Sequence, residues 1–329
     1  MGLQRRRPDT ATVMRVQYSL SVADETSGRR MMDQLELSLG SLREVHPAGT
    51  DVDVAVVVHG EPPTGLSSLL ERHAVRLEPR PPVAEQLAAR VGSFAPVLAP
   101  MVSVHKFLTL APLAAVAPRR VLALDCDTVV RGPLTRLVPD RPRPTLLARE
   151  EVHSRRCRFG ERTAYLDESA LRTTTQQVAG HDPAPAFNTG VMGLVDVPWH
   201  RAAALERRYL GWLVRFATWM ALHPGVPGDE LGADVVDVGE VHRLVRGPSG
   251  ERLRALAAPY PSANRWLLEE VAAWAAVGGE PALRHEAFPA HLVAQGVETT
   301  LPSAGGRAAP VVSHYFSSNE AAIRDLLSS

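Results

Sequence analysis

Two aspartates one residue apart close an apolar run in the segment Val121-Leu122-Ala123-Leu124-Asp125-Cys126-Asp127-Thr128-Val129-Val130. A regular strand aims residues i and i+2 at the same face. Two carboxylates held that close repel each other, and burying them unpaired is costly. A hard divalent cation with oxygen ligands resolves both problems. Such a cation can also hold a diphosphate and neutralise the charge that builds on it as it leaves. The plainer alternative is a polar strand end, with one capping aspartate and one solvated. His314 is either a third metal ligand or a core histidine; as a ligand its imidazole favours Mn²⁺ over Mg²⁺.

Five further residues could do chemistry. Lys106 is the only lysine in a chain whose 36 basic residues are otherwise all arginine. It is either a point charge for a phosphate oxygen or a solvated helix residue. Asn188 could hydrogen-bond a hydroxylated ligand or close a turn with Gly190, and Gly190 permits a close backbone approach or a bend. Asp229, followed by Glu230, could stabilise positive charge at a reacting carbon or cap the helix after it.

The elements that must position these groups alternate. Val16–Val22 reads as a first strand, 27–45 as a helix, Val52–Val58 as a buried strand, and Leu66–His73 as a short helix. Ala74–Leu77, a helix over 102–116 and a strand Arg120–Leu124 complete the first half. This rhythm predicts an α/β fold with a mostly parallel, Rossmann-like sheet flanked by helices. In such sheets ligands bind beyond the carboxyl ends of the strands, so Asp24, after the first strand, and Asp125 and Asp127, after the fourth, are expected in one crevice. Residues 140–186 read as mixed loops, Phe187–Val195 as a strand, 198–222 as a helix with Leu205, Tyr209, Leu210, Leu213, Phe216 and Met220 on one side, 229–246 and 265–277 as further helices, and Val311-Val312 as the start of a last strand. With no internal repeat and no clear linker, one domain over 1–329 is expected. Roughly 14–197 forms its nucleotide- and metal-binding half. Roughly 198–329 forms an acceptor-side half that carries the last ligand.

Composition narrows the function. The 329 residues carry 36 basic and 36 acidic groups and are only 5% aromatic, which argues against a nucleic-acid partner. Cys126 and Cys157 form neither a disulfide framework nor a zinc spacing, and a reducing, cytoplasmic location follows. The apolar region 91–118 is interrupted by Pro96, Pro100, His105, Lys106 and Pro112, so no segment is expected to cross a membrane.

Several blocks in order resemble the glycogenin-like glycosyltransferases, family eight of the metal-dependent transferases with the GT-A fold. They are Leu20-Ser21-Val22-Ala23-Asp24, His105-Lys106-Phe107, the Asp125–Asp127 motif, Phe187-Asn188-Thr189-Gly190-Val191-Met192, Gly228-Asp229-Glu230-Leu231, Tyr260-Pro261-Ser262-Ala263-Asn264 and Val312-Ser313-His314-Tyr315. The resemblance implies transfer of a sugar from a nucleotide-sugar, a UDP-sugar in most of the family, to a hydroxyl acceptor with retention of configuration. It implies Mn²⁺ (or Mg²⁺) on Asp125, Asp127 and His314. It further implies donor contacts from Asp24, Lys106, Asp125, Asn188 and Gly190, with Asp229, Glu230 and Asn188 beside the reacting carbon. The chain departs from the family at Thr26, where a uracil-stacking tyrosine is common, at Glu230, where glutamine is usual, and after His314, where the usual Gly and Lys are missing.

Two rival readings start from the same residues. In a haloacid-dehalogenase-type phosphatase Asp125 would be the nucleophile and Asp127 the acid–base, with Gly228, Asp229 and Asp234 supplying the later motif. The absence of a downstream lysine, the late position of the aspartate pair and the lack of a strand before Gly228 oppose it. The second rival is a transferase-like domain that binds the donor without turning it over.

Overall fold

The structure is a computed structural model that describes residues 14–22, 25–50, 52–99, 104–116, 119–150, 176, 180–222, 265–295 and 309–315. Strands β1 (Met14–Ser21), β2 (Val52–His59), β3 (Arg76–Arg80), β4 (Arg120–Leu124), β6 (Thr145–Glu150), β7 (Phe187–Val195) and β8 (Arg284–Phe288) form a 7-stranded sheet in the order β3-β2-β1-β4-β7-β6-β8. A small 3-stranded sheet joins β5 (Thr128–Val130), β10 (Val312–His314) and β9 (Val293–Gln295). Among the described residues the helices are α1 (Glu25–Val45), α2 (Leu66–Arg72), α3 (Val83–Val91), α4 (Ala95–Leu98), α5 (Val104–Val116), α6 (Trp199–Leu222) and α7 (Arg265–Gly278).

The first half follows the expected rhythm. β1 lies parallel to both β2 and β4, and β2 parallel to β3; each such pair needs a crossover, which the helices between the strands supply. β7 runs antiparallel to β4 and β6, whereas β8 is parallel to β6. The sheet is therefore mostly parallel with one reversed strand inside it.

Alternation along the strands loads both faces. Met14, Val16, Tyr18 and Leu20 of β1, with Leu122 and Leu124 of β4, join Leu35, Leu39 and Leu42 of α1 in one core. Val121, Met192 and Leu194 pack on the other face against Phe107 of α5, Leu205, Tyr209 and Leu213 of α6 and Trp274 of α7. The four α6 residues expected to face inward that are described (Leu205, Tyr209, Leu210 and Leu213) are all buried.

Several elements differ from the sequence expectation. Thr145–Glu150, inside the stretch read as loops, is an interior strand flanked by β7 and β8; being buried on both faces, it carries Leu146, Leu147 and Ala148 in succession instead of alternating apolar with polar residues. α3, α4, β5, β8 and β9 were not expected as elements. The third strand lies at Arg76–Arg80, slightly later than read. The helix expected over 229–246, the block 260–264 and Cys157 lie outside the described residues.

Candidate metal and donor site

The aspartate pair stands where β4 ends. Asp125 continues the β4–β7 ladder, its backbone N–H donating to the Gly190 carbonyl at 2.8 Å. The turn that follows is tied to α1. Tyr18 Oη and Ser38 Oγ lie 2.8 Å apart, Ser38 Oγ and Thr128 Oγ1 3.0 Å apart, and Thr128 Oγ1 donates to the Asp125 carbonyl at 2.7 Å. The Val130 N–H donates to Ser41 Oγ. Two helix serines three apart thus meet the segment after the aspartates, which is how polar residues are accommodated on a buried helix face.

The same turn becomes β5, and β5 recruits the end of the chain. β10 pairs antiparallel to β5 with His314 opposite Thr128, and the Tyr315 N–H donates to the Asp127 carbonyl at 2.9 Å. His314 Nε2 lies 3.2 Å from Asp127 Oδ1 and 3.7 Å from Asp125 Oδ2. One ligand atom from each of Asp125, Asp127 and His314 falls within 4.8 Å of the others. The structure thus brings together the three residues named from sequence as metal ligands, drawn from two distant segments.

Gly190 makes room for the imidazole. A Cβ at this position would lie 2.5 Å from His314 Nε2 and 2.6 Å from Nδ1, inside any van der Waals contact. The close approach expected of Gly190 is therefore met by a protein ring. Asn188 is buried and closes a turn over this glycine, its Oδ1 accepting from the Gly190 N–H at 2.7 Å while its Nδ2 donates to Glu270 Oε1 at 2.8 Å. The turn is local to an irregularity in pairing: Ala148 faces Met192, yet the next residue, Arg149, faces Asn188. Three β7 residues are skipped on the β6 side, and Gly190 is among them.

Lys106 is not solvated. It enters at the start of α5, is buried, and lies 2.6 Å from Asp125 Oδ1 and 2.8 Å from Oδ2. Burial alone would depress its pKa, but the Asp125 carboxylate outweighs this and raises it. His314 behaves alike: burial opposes its charge, and Asp127 raises its pKa nonetheless. Burial would raise the Asp127 pKa, but the facing imidazole lowers it. Two carboxylates thus face one ammonium and an imidazole whose protonation they favour, which explains how the pair is tolerated. The donor set of two carboxylates and an imidazole at mutual contact distance suits a divalent cation such as Mn²⁺ or Mg²⁺. Binding one requires neutral imidazole, so protonation of His314 competes with the cation.

Next to the pair, two histidines sit at the carboxyl ends of β1 and β2. His105 Nε2 donates to the Ser19 carbonyl, and His59 Nδ1 lies 2.7 Å from Gln86 Nε2. Burial and the neighbouring Lys106 and His59 hold the His105 pKa well down, and burial with Arg80 pushes His59 down to about 4. Cys126, between the two aspartates, has a free thiol whose pKa burial raises well above its ordinary value, helped by Asp125 and Asp127. Such a thiol is inert as a nucleophile.

Asp24, Asp229 and Glu230 lie outside the described residues. Sequence reasoning missed Glu270, the partner of Asn188, and Glu269, whose charge reaches Lys106. Both are buried on α7.

No family model and no curated protein matches the chain by sequence. Among solved structures, it is similar to the galactosyltransferase LgtC in complex with donor and acceptor sugar analogs, at 13% identity over 96% of this chain and 95% of that one, with a TM-score of 0.50. Mouse xyloside xylosyltransferase 1 (apo form) aligns at 13% identity over 93% and 98%, with a TM-score of 0.49. The bifunctional glycosyltransferase WbbM aligns at 13% over 94% of this chain and 47% of that one, with a TM-score of 0.48. The likeness to LgtC is one of fold: this chain has the GT-A fold of nucleotide-diphospho-sugar transferases.

Proposed function

We propose that the protein is a metal-dependent glycosyltransferase that moves a sugar from a nucleotide-sugar, a UDP-sugar by family resemblance, to a hydroxyl acceptor with retention of configuration. The observation that carries this is the convergence of Asp125, Asp127 and His314 at the end of β4, in a fold shared with sugar transferases. A divalent cation held there supplies Lewis-acid stabilisation of the departing diphosphate.

In this reading the chain's own groups do the following. Asp125 and Asp127 supply carboxylate oxygens from one turn, and His314 supplies Nε2 from β10 across it. Lys106 holds Asp125 in place and offers an ammonium to phosphate. Asn188, with one amide proton beyond the bond to Glu270, donates to a sugar hydroxyl. Asp24 binds the nucleoside end. Asp229 and Glu230, in the acceptor-side half, stabilise the oxocarbenium-like state. Among the described residues no helix is long and apolar enough to cross a membrane; a cytoplasmic location is part of this proposal.

Nothing favours the phosphatase reading. Its later motif, at 228–234, lies outside the described residues, and the GT-A fold gives Asp125 a different setting. A donor screen tests the proposal: nucleotide-sugars are incubated with the protein and Mn²⁺, and release of free sugar and nucleoside diphosphate is measured. Mn²⁺-dependent release from at least one donor is expected. Phosphate release from monoesters with Mg²⁺ instead would establish the phosphatase, and donor binding without turnover would establish the inactive domain.

A further inference from the structure

Helix α7 grips the start of β7 through residues spaced four apart, which a helix presents on one face. Trp274 Nε1 donates to the Phe187 carbonyl at 2.6 Å, and the Ala184 N–H donates to the Trp274 carbonyl at 2.8 Å. One turn later, a Cβ on Gly278 would overlap the Asp182 carbonyl and lie 2.7 Å from the Ala184 nitrogen, so the helix is seated as closely as glycine allows. One turn earlier, Glu270 meets Asn188. Consecutive β7 residues, Phe187 and Asn188, are thus held by consecutive turns of one helix.

The orientation of the Asn188 amide is fixed at both ends. The Gly190 N–H is a donor only, so the amide atom 2.7 Å from it is Oδ1; the other amide atom, 2.8 Å from Glu270 Oε1, is therefore Nδ2. Both Asn188 and Glu270 are buried, so this bond lies out of reach of bulk water. What stays available on Asn188 is one amide proton, set in direction by the other.

We infer that Glu270 is a positioning residue for Asn188: by accepting one amide proton it fixes the direction in which Asn188 presents the second to the donor. The inference rests on the transfer reading above. A buried glutamate on a helix that contributes no group to the metal triad is thereby coupled to it, through Asn188, Gly190 and the His314 ring packed on that glycine.

The experiment compares Glu270→Gln, Glu270→Ala, Asn188→Asp and the double variant Asn188→Asp/Glu270→Gln with the wild-type chain. It reads kcat and KM for Mn²⁺-dependent turnover of the UDP-sugar that the wild type accepts, together with melting temperature without donor. Glu270→Gln keeps an acceptor oxygen for Nδ2 and is expected to retain most of kcat/KM. Glu270→Ala is expected to lose about tenfold, the scale of one buried hydrogen bond. Asn188→Asp sets two carboxylates against each other and is expected to lower the melting temperature. Adding Glu270→Gln restores a donor–acceptor pair and is expected to recover it, while turnover stays low because the donor-facing amide proton is gone. Wild-type kcat/KM in Glu270→Ala, or equal losses in Glu270→Gln and Glu270→Ala, would overturn the inference. So would melting temperatures that add without coupling, a readout that also decides the matter if Glu270→Ala does not fold. Failure of the transfer reading shows separately, as absence of Mn²⁺-dependent turnover in the wild type.

Discussion

The His314 ring lies against the Cα of Gly190, where a single added methyl would come within 2.5 Å of Nε2. The proposed third ligand, carried on β10, is thus admitted by the absence of a side chain on β7. Gly190→Ala forces either the imidazole or the β7 backbone to move, and the backbone there carries the Asp125 N–H bond. The variant is expected to fold with a lower melting temperature and to lose the stabilisation that Mn²⁺ gives the wild type. Thermal shift with and without Mn²⁺ checks this, and an undiminished Mn²⁺ effect would show that His314 is not a ligand.

Asp127 is the carboxylate nearest His314. Asp127→Ala removes a proposed ligand and leaves the buried imidazole facing one carboxylate fewer. Mn²⁺-dependent donor turnover is expected to vanish while the circular dichroism spectrum stays native. A ligand present at a hundred times its Kd stabilises a fold by about 2.7 kcal/mol, so loss of binding shows equally as loss of that increment. Unchanged turnover would refute the metal assignment.

How much of this was legible in the sequence differs from residue to residue. Asp125 and Asp127 stood out because an apolar run ended on them, and the structure places them at a strand end. His314 was recognisable only through its order relative to the other blocks, since no ligand spacing marks a lone histidine. Thr145–Glu150 was missed because a strand buried on both faces lacks the period of two, and the arginines and prolines before it suggested a loop. Glu270 was missed because paired glutamates on a helix usually face water. The clue lay nearby: Ala272, Ala273, Trp274, Ala275 and Ala276 are apolar all round the helix, and a helix with no polar face is buried, its acids included.

Ser38 links Tyr18 Oη and Thr128 Oγ1 within the core. Ser38→Ala deletes the shared hydroxyl and takes from the buried Tyr18 hydroxyl its hydrogen-bond partner, while Thr128 Oγ1 keeps the Asp125 carbonyl, at a cost of about 1–3 kcal/mol. Urea unfolding is expected to show that loss. Because Thr128 also bonds the Asp125 carbonyl, Mn²⁺ affinity should fall with it. A variant as stable as the wild type would show that the chain from α1 does not hold the turn.

Tyr209 is fully buried and stacked on Phe107 with ring centroids 3.8 Å apart. Its hydroxyl has no hydrogen-bond partner among the described residues, and burial, with Glu269 and Glu270 adding to it, raises its pKa well above the ordinary value. Removing a buried unsatisfied hydroxyl is neutral or stabilising. Tyr209→Phe is therefore expected to melt at or above the wild-type temperature, and a loss of about 1 kcal/mol or more in urea unfolding would show that the hydroxyl is bonded after all.

Acid should weaken the fold through His59. Gln86 Nε2 also donates to the Pro81 carbonyl at 2.6 Å, so it faces His59 as a donor and Nδ1 must accept. Protonating Nδ1 would break that bond inside the structure, and burial with nearby Arg80 pushes the pKa from 6.5 down to about 4. The unfolded chain takes up this proton near pH 6.5 and the folded chain does not. The stabilisation is complete above pH 6.5 and is lost as pH falls toward 4, amounting to about 3 kcal/mol. His285, also pushed down to about 4 by burial, adds a loss of the same sign. Urea unfolding between pH 7.5 and pH 4.5 is expected to show falling stability, with a shallower slope in His59→Gln because that variant has no proton to take up. A slope identical in the wild type and the variant would mean that His59 titrates alike in both states, and that the Gln86 bond does not hold it neutral.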